Sequence, residues 1–306
     1  MSLDTPDSDA GYAPSRWSAS IDAEAEGIYR GALDRYAHQR LGTFAHVDIG
    51  FVSGGNDFFV LDDAQVKRWR LPRHVLTPAV RRPSDVPGLE VRADELRWLL
   101  DLNGPEELAP EVQAYLAHGE ATGIAERYKC RVRRAWYAVP LSKRRPDLFL
   151  PYMQHRGPRL IVNTASSRST NLLHGVALAE GHAPASLRAL AVAAASSLTL
   201  LSAEVEGRAY GGGVLKLETR EAERLILPRI SEDLSRRLEA AFEITDRRIR
   251  NGELRSATRE VDAILGLDHE RLWSALLVYQ NRRLGRRARA AERKTSEPLQ
   301  DVGLQD

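Results

Sequence analysis

The chain has 306 residues, 43% of them hydrophobic and 28% charged, and a formal net charge of +2 at pH 7, as is ordinary for a soluble globular protein able to bury a sizeable core. The single cysteine, Cys130, excludes intramolecular disulfides and multi-thiolate metal sites, and no apolar run approaches the roughly 20 residues of a membrane helix. The acidic first residues lack the apolar core of a signal peptide, which predicts a cytoplasmic location.

The N-terminal part of the chain predicts a disordered tail, a helix and a β-hairpin. Residues 1–19 are rich in Ser, Asp and Pro and short of apolar residues, so we expect them to be disordered. In residues 20–43 apolar side chains recur at roughly helical spacing, which predicts an opening helix. Two β-type runs, Val47 to Val52 and Phe58 to Leu61, flank a Gly-Gly-Asn-Asp sequence. This pattern is typical of a hairpin.

The middle of the chain predicts short elements. Residues 66–119 are acidic and carry six prolines, which favours short elements joined by turns, with one helix from about Glu111 to Leu116. Further along, the pattern predicts strands in PRLIVNTASS and GVALAE, one buried helix from Ala185 to Glu206, and a glycine turn entering a strand in GRAYGGGVLKLE.

Beyond Pro228 the composition is typical of helices. Three helical stretches are predicted at residues 231–250, 253–266 and 269–294, with Ser231 as a helix start and Gly266 as a stop. The predicted fold class is therefore α+β: a mixed, mostly antiparallel β domain with packed helices over residues 44–230, a helical C-terminal module over residues 231–296, and a tail over residues 297–306.

Positive charge is concentrated between Arg127 and Arg168. Eleven lysines and arginines face the single carboxylate of Asp147 in this stretch, a local excess of 11 − 1 = 10. Five aromatic residues are interleaved with the cations, so the stretch offers both phosphate neutralisation and ring faces for bases. We interpret it as a nucleic-acid surface. The alternative is a solvated basic face.

Two further groups are candidates for DNA contact. The triplet Gly211 to Gly213 lies between cations and Tyr210, and such glycines occur where the backbone adopts positive φ or approaches a phosphate chain or a strand closely. The second group consists of Asn163, Arg168, Asn171 and His174. Such polar residues can read base edges, or they can belong to turns. The residues predicted to contact DNA are Lys129, Arg131, Arg133, Arg134, Trp136, Tyr137, Arg156, Arg159, Asn163, Arg168, Asn171, His174, Arg208, Tyr210, Gly211, Gly212, Gly213 and Lys216.

No familiar catalytic motif is present. The chain lacks His-Glu-x-x-His, the phosphate-binding Gly-x-x-x-x-Gly-Lys-Ser/Thr and Gly-x-Ser-x-Gly. Its eight histidines are scattered, so a metal site is not expected. A magnesium-dependent nuclease built on carboxylates such as Asp147, Glu204 and Glu218 stays open as an alternative. No catalytic, cofactor-binding or metal-binding residue is assigned.

Several long strings of the sequence resemble a known family. VDIGFVSGGNDFFVL, GIAERYKCRVRRAWYAVP, PDLFLPYM, PRLIVNTA, STNLLHGV and SSLTLLSAEVEGRAYGGGVLKLETREAERLILP occur in this order over roughly residues 44–230. They resemble the target-recognition region of Eco57I/TaqI-like adenine-specific DNA methyltransferases of bacterial restriction-modification systems. The resemblance implies sequence-specific binding of double-stranded DNA.

The same family also has features that this sequence lacks. Its members carry, ahead of the recognition region, a Rossmann-like domain with a glycine-rich cofactor motif and an Asn/Asp-Pro-Pro-Tyr/Phe motif that holds the flipped adenine. The chain contains no Pro-Pro dipeptide, and only about 43 residues precede the resembling region. We therefore expect that this chain neither binds S-adenosylmethionine productively nor transfers methyl groups, and that a catalytic methyltransferase chain acts in trans. An assembly subunit that binds a partner protein through its helical tail is a further alternative.

Overall fold

A computed structural model describes residues 22–104, 107–155, 157–179 and 186–296, with side chains as far as residue 285. The predicted tails at 1–19 and 297–306, and Arg156, lie outside the described residues. The described helices are α1 Ala23–Arg35, α2 Asn56–Phe59, α3 Asp63–Trp69, α4 Pro110–Ala121, α5 Tyr128–Arg131, α6 Leu187–Ala193, α7 Ser197–Glu206, α8 Thr219–Glu223, α9 Glu232–Ala240, α10 Phe242–Arg250, α11 Leu254–Leu265 and α12 His269–Ser296.

In the described residues, short strands assemble into four small sheets. The strands are β1 His38–Arg40, β2 Ala45–Ile49, β3 Val60–Leu61, β4 Leu76–Val80, β5 Arg97–Leu100, β6 Leu148–Pro151, β7 Met153–Gln154, β8 Ile161–Val162, β9 Arg168–Ser169, β10 Leu173–Leu178, β11 Arg208–Tyr210, β12 Val214–Lys216 and β13 Ile226–Pro228. Their orders are β1-β13, β2-β10-β6-β8, β11-β12-β7 and β3-β5-β4-β9. Among the named strands only β4 and β9 pair in parallel, so the predicted α+β class with mostly antiparallel strands is confirmed.

The largest core lies between the central sheet β2-β10-β6-β8 and the helices that cover it. Val47 of β2, Leu150 of β6 and Val176 of β10 pack with α6 and with residues of α9 to α11. At roughly 25 cal/mol per Å² of buried apolar surface, such packing is the main favourable contribution to folding. Because the C-terminal helices share this core, they hold the sheet in place.

A second core supports the β3-β5-β4-β9 sheet. Phe58 stacks on Tyr115 of α4 with ring centroids 4.4 Å apart, and the Tyr115 hydroxyl donates to the Phe58 carbonyl at 2.7 Å. Burial raises the pKa of Tyr115 far above its ordinary value, which keeps that donor protonated. Val80 of β4 and Phe149 of β6 belong to one further cluster, which joins the two sheets.

The predicted hairpin over residues 47–61 is wrong. β2 pairs with β10, whereas β3 pairs with β5 in another sheet. At Gly50 the chain passes so close to the 169–170 segment that an added Cβ would lie 2.2 Å from the Thr170 carbonyl oxygen. The glycine-rich sequence then begins α2, where the Ser53 hydroxyl donates to Asn56 at 2.6 Å. The glycines therefore serve a close backbone approach and a helix start.

Two predicted helices differ in extent from the observed ones. The opening helix ends at Arg35, because residues 38–40 pair with β13. The stretch from Ala185 to Glu206 contains two helices, α6 and α7, bent by 71°. Ser196 caps α7 by accepting a hydrogen bond from Thr199 N at 3.4 Å. No single helix among the described residues is long and apolar enough to cross a membrane, although α6 and α7 taken together meet the length and composition of a broken span.

The C-terminal helices follow their local signals closely. The Ser231 hydroxyl caps α9 and Gly266 ends α11 with a φ of 70°, as predicted. The predicted helix over residues 231–250 divides at Ala241 into α9 and α10. α12 packs on α1 and α7 through Leu272, Trp273 and Leu276. This helix also positions part of the candidate site.

A candidate nucleic-acid interface

Many arginines of the basic stretch bind the chain's own backbone. Arg133 donates to the carbonyls of Val52 at 2.7 Å and Ser53 at 2.8 Å. Arg168 donates to the Arg144 carbonyl at 3.2 Å, and Arg159 donates to the Pro87 carbonyl. Burial lowers the pKa of both Arg133 and Arg168 from the ordinary value. The stretch from Arg127 to Arg168 is therefore not one continuous phosphate-binding face, because part of its charge fastens loops together.

The predicted polar readers also make internal contacts. The buried Asn163 amide donates to the carbonyls of Pro146 at 2.8 Å and Ser167 at 3.0 Å, and its oxygen accepts from Ser167. Asn171 is half-buried, and its backbone N–H donates to the Phe51 carbonyl. Base contact by these residues stays a prediction.

His174 is fully buried in β10. Its Nε2–H donates to the Leu217 carbonyl at 2.7 Å, and its ring packs edge-on against Tyr152 at 5.2 Å. Among the described residues its Nδ1 has no hydrogen-bond partner. Burial lowers the pKa of this histidine, because protonation would place a charge in an apolar setting.

The His174 environment predicts acid sensitivity. Below a pH of about 6.5 the unfolded chain takes up a proton at this position while the folded chain resists it. The free energy of unfolding should therefore fall as the pH decreases below 6.5, by at most about 1.4 kcal/mol per pH unit from this group. Urea titrations at pH 7.5, 6.5 and 5.5 measure it. His174→Gln keeps an N–H donor and should flatten the dependence, whereas an unchanged slope would assign it to other groups.

The two predicted tryptophan and tyrosine contacts lie against the second core. Trp136 is half-buried, packs against Phe58 with ring centroids 5.6 Å apart, and donates from Nε1 to Glu120 at 3.1 Å. Tyr137 packs edge-on against Trp136. Tyr128, by contrast, is 64% exposed. Tyr128 was not among the residues predicted to contact DNA. Its position in the sequence beside Lys129 is the signal that could have identified it.

A short projection built on α5 carries the most accessible cations. We call residues 127–134 the basic turn. Arg127, Lys129, Arg131 and Arg134 are all exposed, and in the described part of the chain none of them forms an ion pair. The turn is attached to the backbone of residues 53 and 54. The Cys130 thiol lies 3.7 Å from the Ser53 carbonyl oxygen, and Arg127 donates to the Gly54 carbonyl at 3.4 Å. A rigid base with free cations at its surface suits an anionic partner.

The second cationic feature is the hairpin of β11 and β12, residues 208–216, here called the hairpin arm. Tyr210 pairs with Val214 across the three-glycine loop and is 56% exposed. Lys216 lies 5.3 Å from the Tyr210 ring centroid and 2.7 Å from the Glu218 carboxylate, which raises the lysine pKa above its ordinary value. Arg208 is ion-paired with the buried Glu221. These two cations are therefore held in fixed positions.

The three glycines of the arm meet different structural requirements. Gly212 and Gly213 have φ values of 79° and 74°, which L-residues with a side chain rarely adopt. Gly211 does not have positive φ, and an added Cβ there would meet nothing within 4 Å. The turn geometry therefore explains Gly212 and Gly213 but places no demand on Gly211.

Alanine substitutions should separate these roles. Gly212→Ala is expected to lower the free energy of unfolding by about 1–2 kcal/mol, because alanine strains at positive φ. Gly211→Ala should leave it unchanged or raise it by roughly 0.4–1 kcal/mol, since it removes freedom from the unfolded chain. Urea unfolding of both variants measures this, and equal destabilisation would mean that Gly211 is also required by the fold. If DNA approaches the arm closely, Gly211→Ala should weaken DNA binding without a loss of stability.

A buried ion pair anchors the loop of the arm. Arg283 of α12 donates in a bidentate fashion to Glu204 of α7, at 2.9 and 2.8 Å, and it also donates to the carbonyls of Gly213 and His155. Only 4% of the Arg283 side chain and 3% of the Glu204 side chain are exposed. α12 therefore fixes the arm through Arg283. In the sequence this residue is only one of several cations in the last predicted helix.

Exposed apolar side chains lie between the basic turn and the hairpin arm. Ile49 is 59% exposed, and Val52 and Leu172 are each 38% exposed. The segments run side by side, because Gly50 N donates to Leu173 O at 3.2 Å and Asn171 N donates to Phe51 O at 2.9 Å. We call Ile49, Val52 and Leu172 the apolar patch.

The patch is connected to both cationic features by hydrogen bonds. On one side Arg133 binds the Val52 carbonyl. On the other side Tyr152 N donates to Leu172 O at 3.1 Å, and Leu217 N, just after the arm, donates to Tyr152 O at 3.0 Å. The segments that carry the basic turn, the patch and the arm therefore adjoin one another in this order.

The carboxylates considered for metal-assisted cleavage have other partners. Asp147 accepts from Leu178 N at 2.8 Å, Glu204 binds Arg283, and Glu218 binds Lys216. In residues 22–104, 107–155, 157–179 and 186–285 there is no group of three or more His, Cys, Asp or Glu side chains placed to hold a metal ion.

Comparison with known proteins relates this chain to restriction-modification enzymes. Residues 15–265 match the family described as Type II methyltransferase M.Eco57I, C-terminal domain. The chain is 30% identical over 228 residues to the Type II methyltransferase M.XamI of Xanthomonas campestris pv. amaranthicola, a match covering 71% of this chain and 40% of that protein. Its fold is similar to part of the type IIG restriction endonuclease BpuSI, with a TM-score of 0.52, 16% identity, and coverage of 85% of this chain and 33% of that one.

Proposed function

This chain belongs to the family of the M.Eco57I C-terminal domain, and from that membership we propose that it binds double-stranded DNA and provides sequence recognition for adenine-specific methylation in a restriction-modification system. The matched region spans 40% of the length of M.XamI. The proposal therefore concerns recognition by these residues, and it assigns the chemistry to a separate catalytic unit.

The observation that carries the proposal is the charge of the basic turn. Between Glu126 and Arg134 five cations face one carboxylate, a net charge of 5 − 1 = 4 over nine residues. Like charges this close repel one another unless an anion neutralises them. A phosphate backbone supplies such an anion, and releasing its counterions favours binding.

Salt dependence tests the proposal. Fluorescence anisotropy with a labelled 40-base-pair duplex between 50 and 300 mM KCl gives the slope of log K against log salt, which should be about −0.9 for each phosphate contacted. The four exposed cations of the basic turn, Arg127, Lys129, Arg131 and Arg134, alone predict a slope of about −3.6 or steeper. A slope near zero, or no binding at 50 mM KCl, would remove the proposal.

We further propose that S-adenosylmethionine binding and methyl transfer require a catalytic methyltransferase unit acting together with these residues. The sequence has no Pro-Pro dipeptide, so it lacks the Asn/Asp-Pro-Pro-Tyr/Phe motif that holds a flipped adenine. The purified chain should not label DNA from radioactive S-adenosylmethionine, whereas it should direct the site preference of an added catalytic chain. Labelling by the chain alone would contradict this proposal and leave DNA binding untouched.

A further inference from the structure

We infer that the apolar patch reads the 5-methyl groups of thymine in the major groove of duplex DNA. This inference rests on the proposed function, because it names what the same surface recognises. Its basis is the position of Ile49, Val52 and Leu172, which are exposed and apolar although they lie between two cationic features. Exposed apolar side chains in such a setting call for an apolar contact beside the anions that the cations bind.

The patch is held rigidly, as base readout requires. Ile49 is paired with His174 in the β2-β10 register, and His174 is locked by the Leu217 carbonyl at 2.7 Å. Leu172 is tied to Tyr152 by a backbone hydrogen bond of 3.1 Å. Side chains on such a framework lose little freedom when they bind, so their contacts contribute to affinity.

Charge complementarity selects DNA as the occupant. On one side of the patch, the exposed cations of the basic turn are suited to phosphates. On the other side the hairpin arm carries Arg208 and Lys216, each paired with a carboxylate of the chain. Between the phosphate backbones of a duplex, the apolar group at a base edge is the thymine methyl, and it lies only in the major groove. That groove also admits a two-stranded β-ribbon. The loop end of the arm, from Tyr210 to Val214, has this form, whereas Leu215 and Lys216 of β12 also pair with β7. The basic turn, the apolar patch and the hairpin arm are thus all suited to the major groove.

The test removes the methyl groups and leaves everything else in place. Duplexes with a random 20-base-pair core are selected on the chain, and the selected thymines are then replaced singly by uracil. Replacing a contacted thymine should weaken binding about fourfold, the worth of one buried methyl group. Ile49→Ala and Leu172→Ala should abolish the thymine preference at one position each.

A matched control distinguishes this effect from general damage. Ile244 of α10 is 37% exposed, close to the 38% of Leu172, and Ile244→Ala should leave the thymine preference intact. Circular dichroism melts verify that each variant folds.

If the chain binds DNA with a steep salt slope but shows no thymine preference, the inference is wrong while the proposed function stands. If Ile49→Ala weakens binding to a catalytic methyltransferase chain and not to DNA, the patch is a protein interface and the inference is overturned. Absence of any DNA binding would remove both.

Discussion

The triple variant Lys129→Gln, Arg131→Gln, Arg134→Gln is expected to bind duplex DNA about 500-fold more weakly than the natural chain at 0.1 M salt. Each phosphate contact contributes a factor of about 10^0.9, or eightfold, at this salt concentration through counterion release. Three contacts therefore contribute about 10^2.7. The slope of log K against log salt should become shallower by about 2.7.

The substitutions suit this measurement because their side chains do not support the fold. All three are exposed, and in the described part of the chain none forms an ion pair. Surface changes of this type usually alter the free energy of unfolding by less than about 0.5 kcal/mol. A loss of affinity therefore reports on the interface.

A second triple variant controls for net charge. Arg30, Arg236 and Arg259 lie on α1, α9 and α11, with 57%, 70% and 57% of their side chains exposed. Replacing these three with glutamine removes the same total charge from other surfaces. Its affinity should fall far less than that of the basic-turn variant. Equal losses in the two variants would mean that overall charge drives binding and that the basic turn is no specific site.

Arg283→Met is expected to lower the free energy of unfolding by about 3–5 kcal/mol. The substitution leaves the Glu204 carboxylate buried without its partner, and breaking a buried ion pair in this way is far more costly than losing an exposed one. It also removes the donor to the Gly213 and His155 carbonyls. Urea unfolding followed by circular dichroism measures the change.

A double-mutant cycle separates the ion pair from the packing. The variant Glu204→Met, Arg283→Met removes both charges, so it should be more stable than Arg283→Met alone by several kcal/mol. The matched exposed pair is Arg236 with Glu232, at 3.3 Å, where Arg236→Met should cost less than about 1 kcal/mol. If the double variant is no more stable than Arg283→Met, an unpaired Glu204 is not the cause of the loss.

The double variant Glu204→Met, Arg283→Met also tests how the fold positions the hairpin arm. Arg283 binds the carbonyl of Gly213, within the loop of the hairpin arm, and α12 carries it there from a sequence position 70 residues away. In Glu204→Met, Arg283→Met the fold should survive while the arm loses this donor. We expect weaker DNA binding at an unchanged salt slope, because positioning is lost and the number of cations in contact is not.

Local signals predicted the elements whose causes are local. Ser231 caps its helix through its own hydroxyl, Gly266 ends a helix at positive φ, and the glycines at 212 and 213 form a turn between two short strands. In each case the residue that gives the signal also makes the bond or adopts the dihedral angle. The family could be identified for a related reason, since long strings of side chains in order carry far more information than one short motif.

Long-range partners explain the predictions that were wrong or incomplete. Gly50 is required by the 169–170 segment and not by a hairpin, and β3 pairs with a strand nearly 40 residues away. The arginines at 133 and 159 are chemically the same as those at 131 and 134, yet the first two bind carbonyls 81 and 72 residues away while the last two are exposed. No local pattern distinguishes a guanidinium that fastens a loop from one that is free to bind phosphate.

The sequence by itself determined the α+β class, the helical C-terminal region, the glycine turn at residues 211–213 and the family, because periodicity, caps, turn glycines and long ordered strings act between neighbouring residues. Only the tertiary structure decided which cations remain accessible, that the segments carrying Ile49, Val52 and Leu172 run side by side, and that Arg283 holds the hairpin arm. These are contacts between segments far apart in the chain, and they exist only once the sheets and helices have packed.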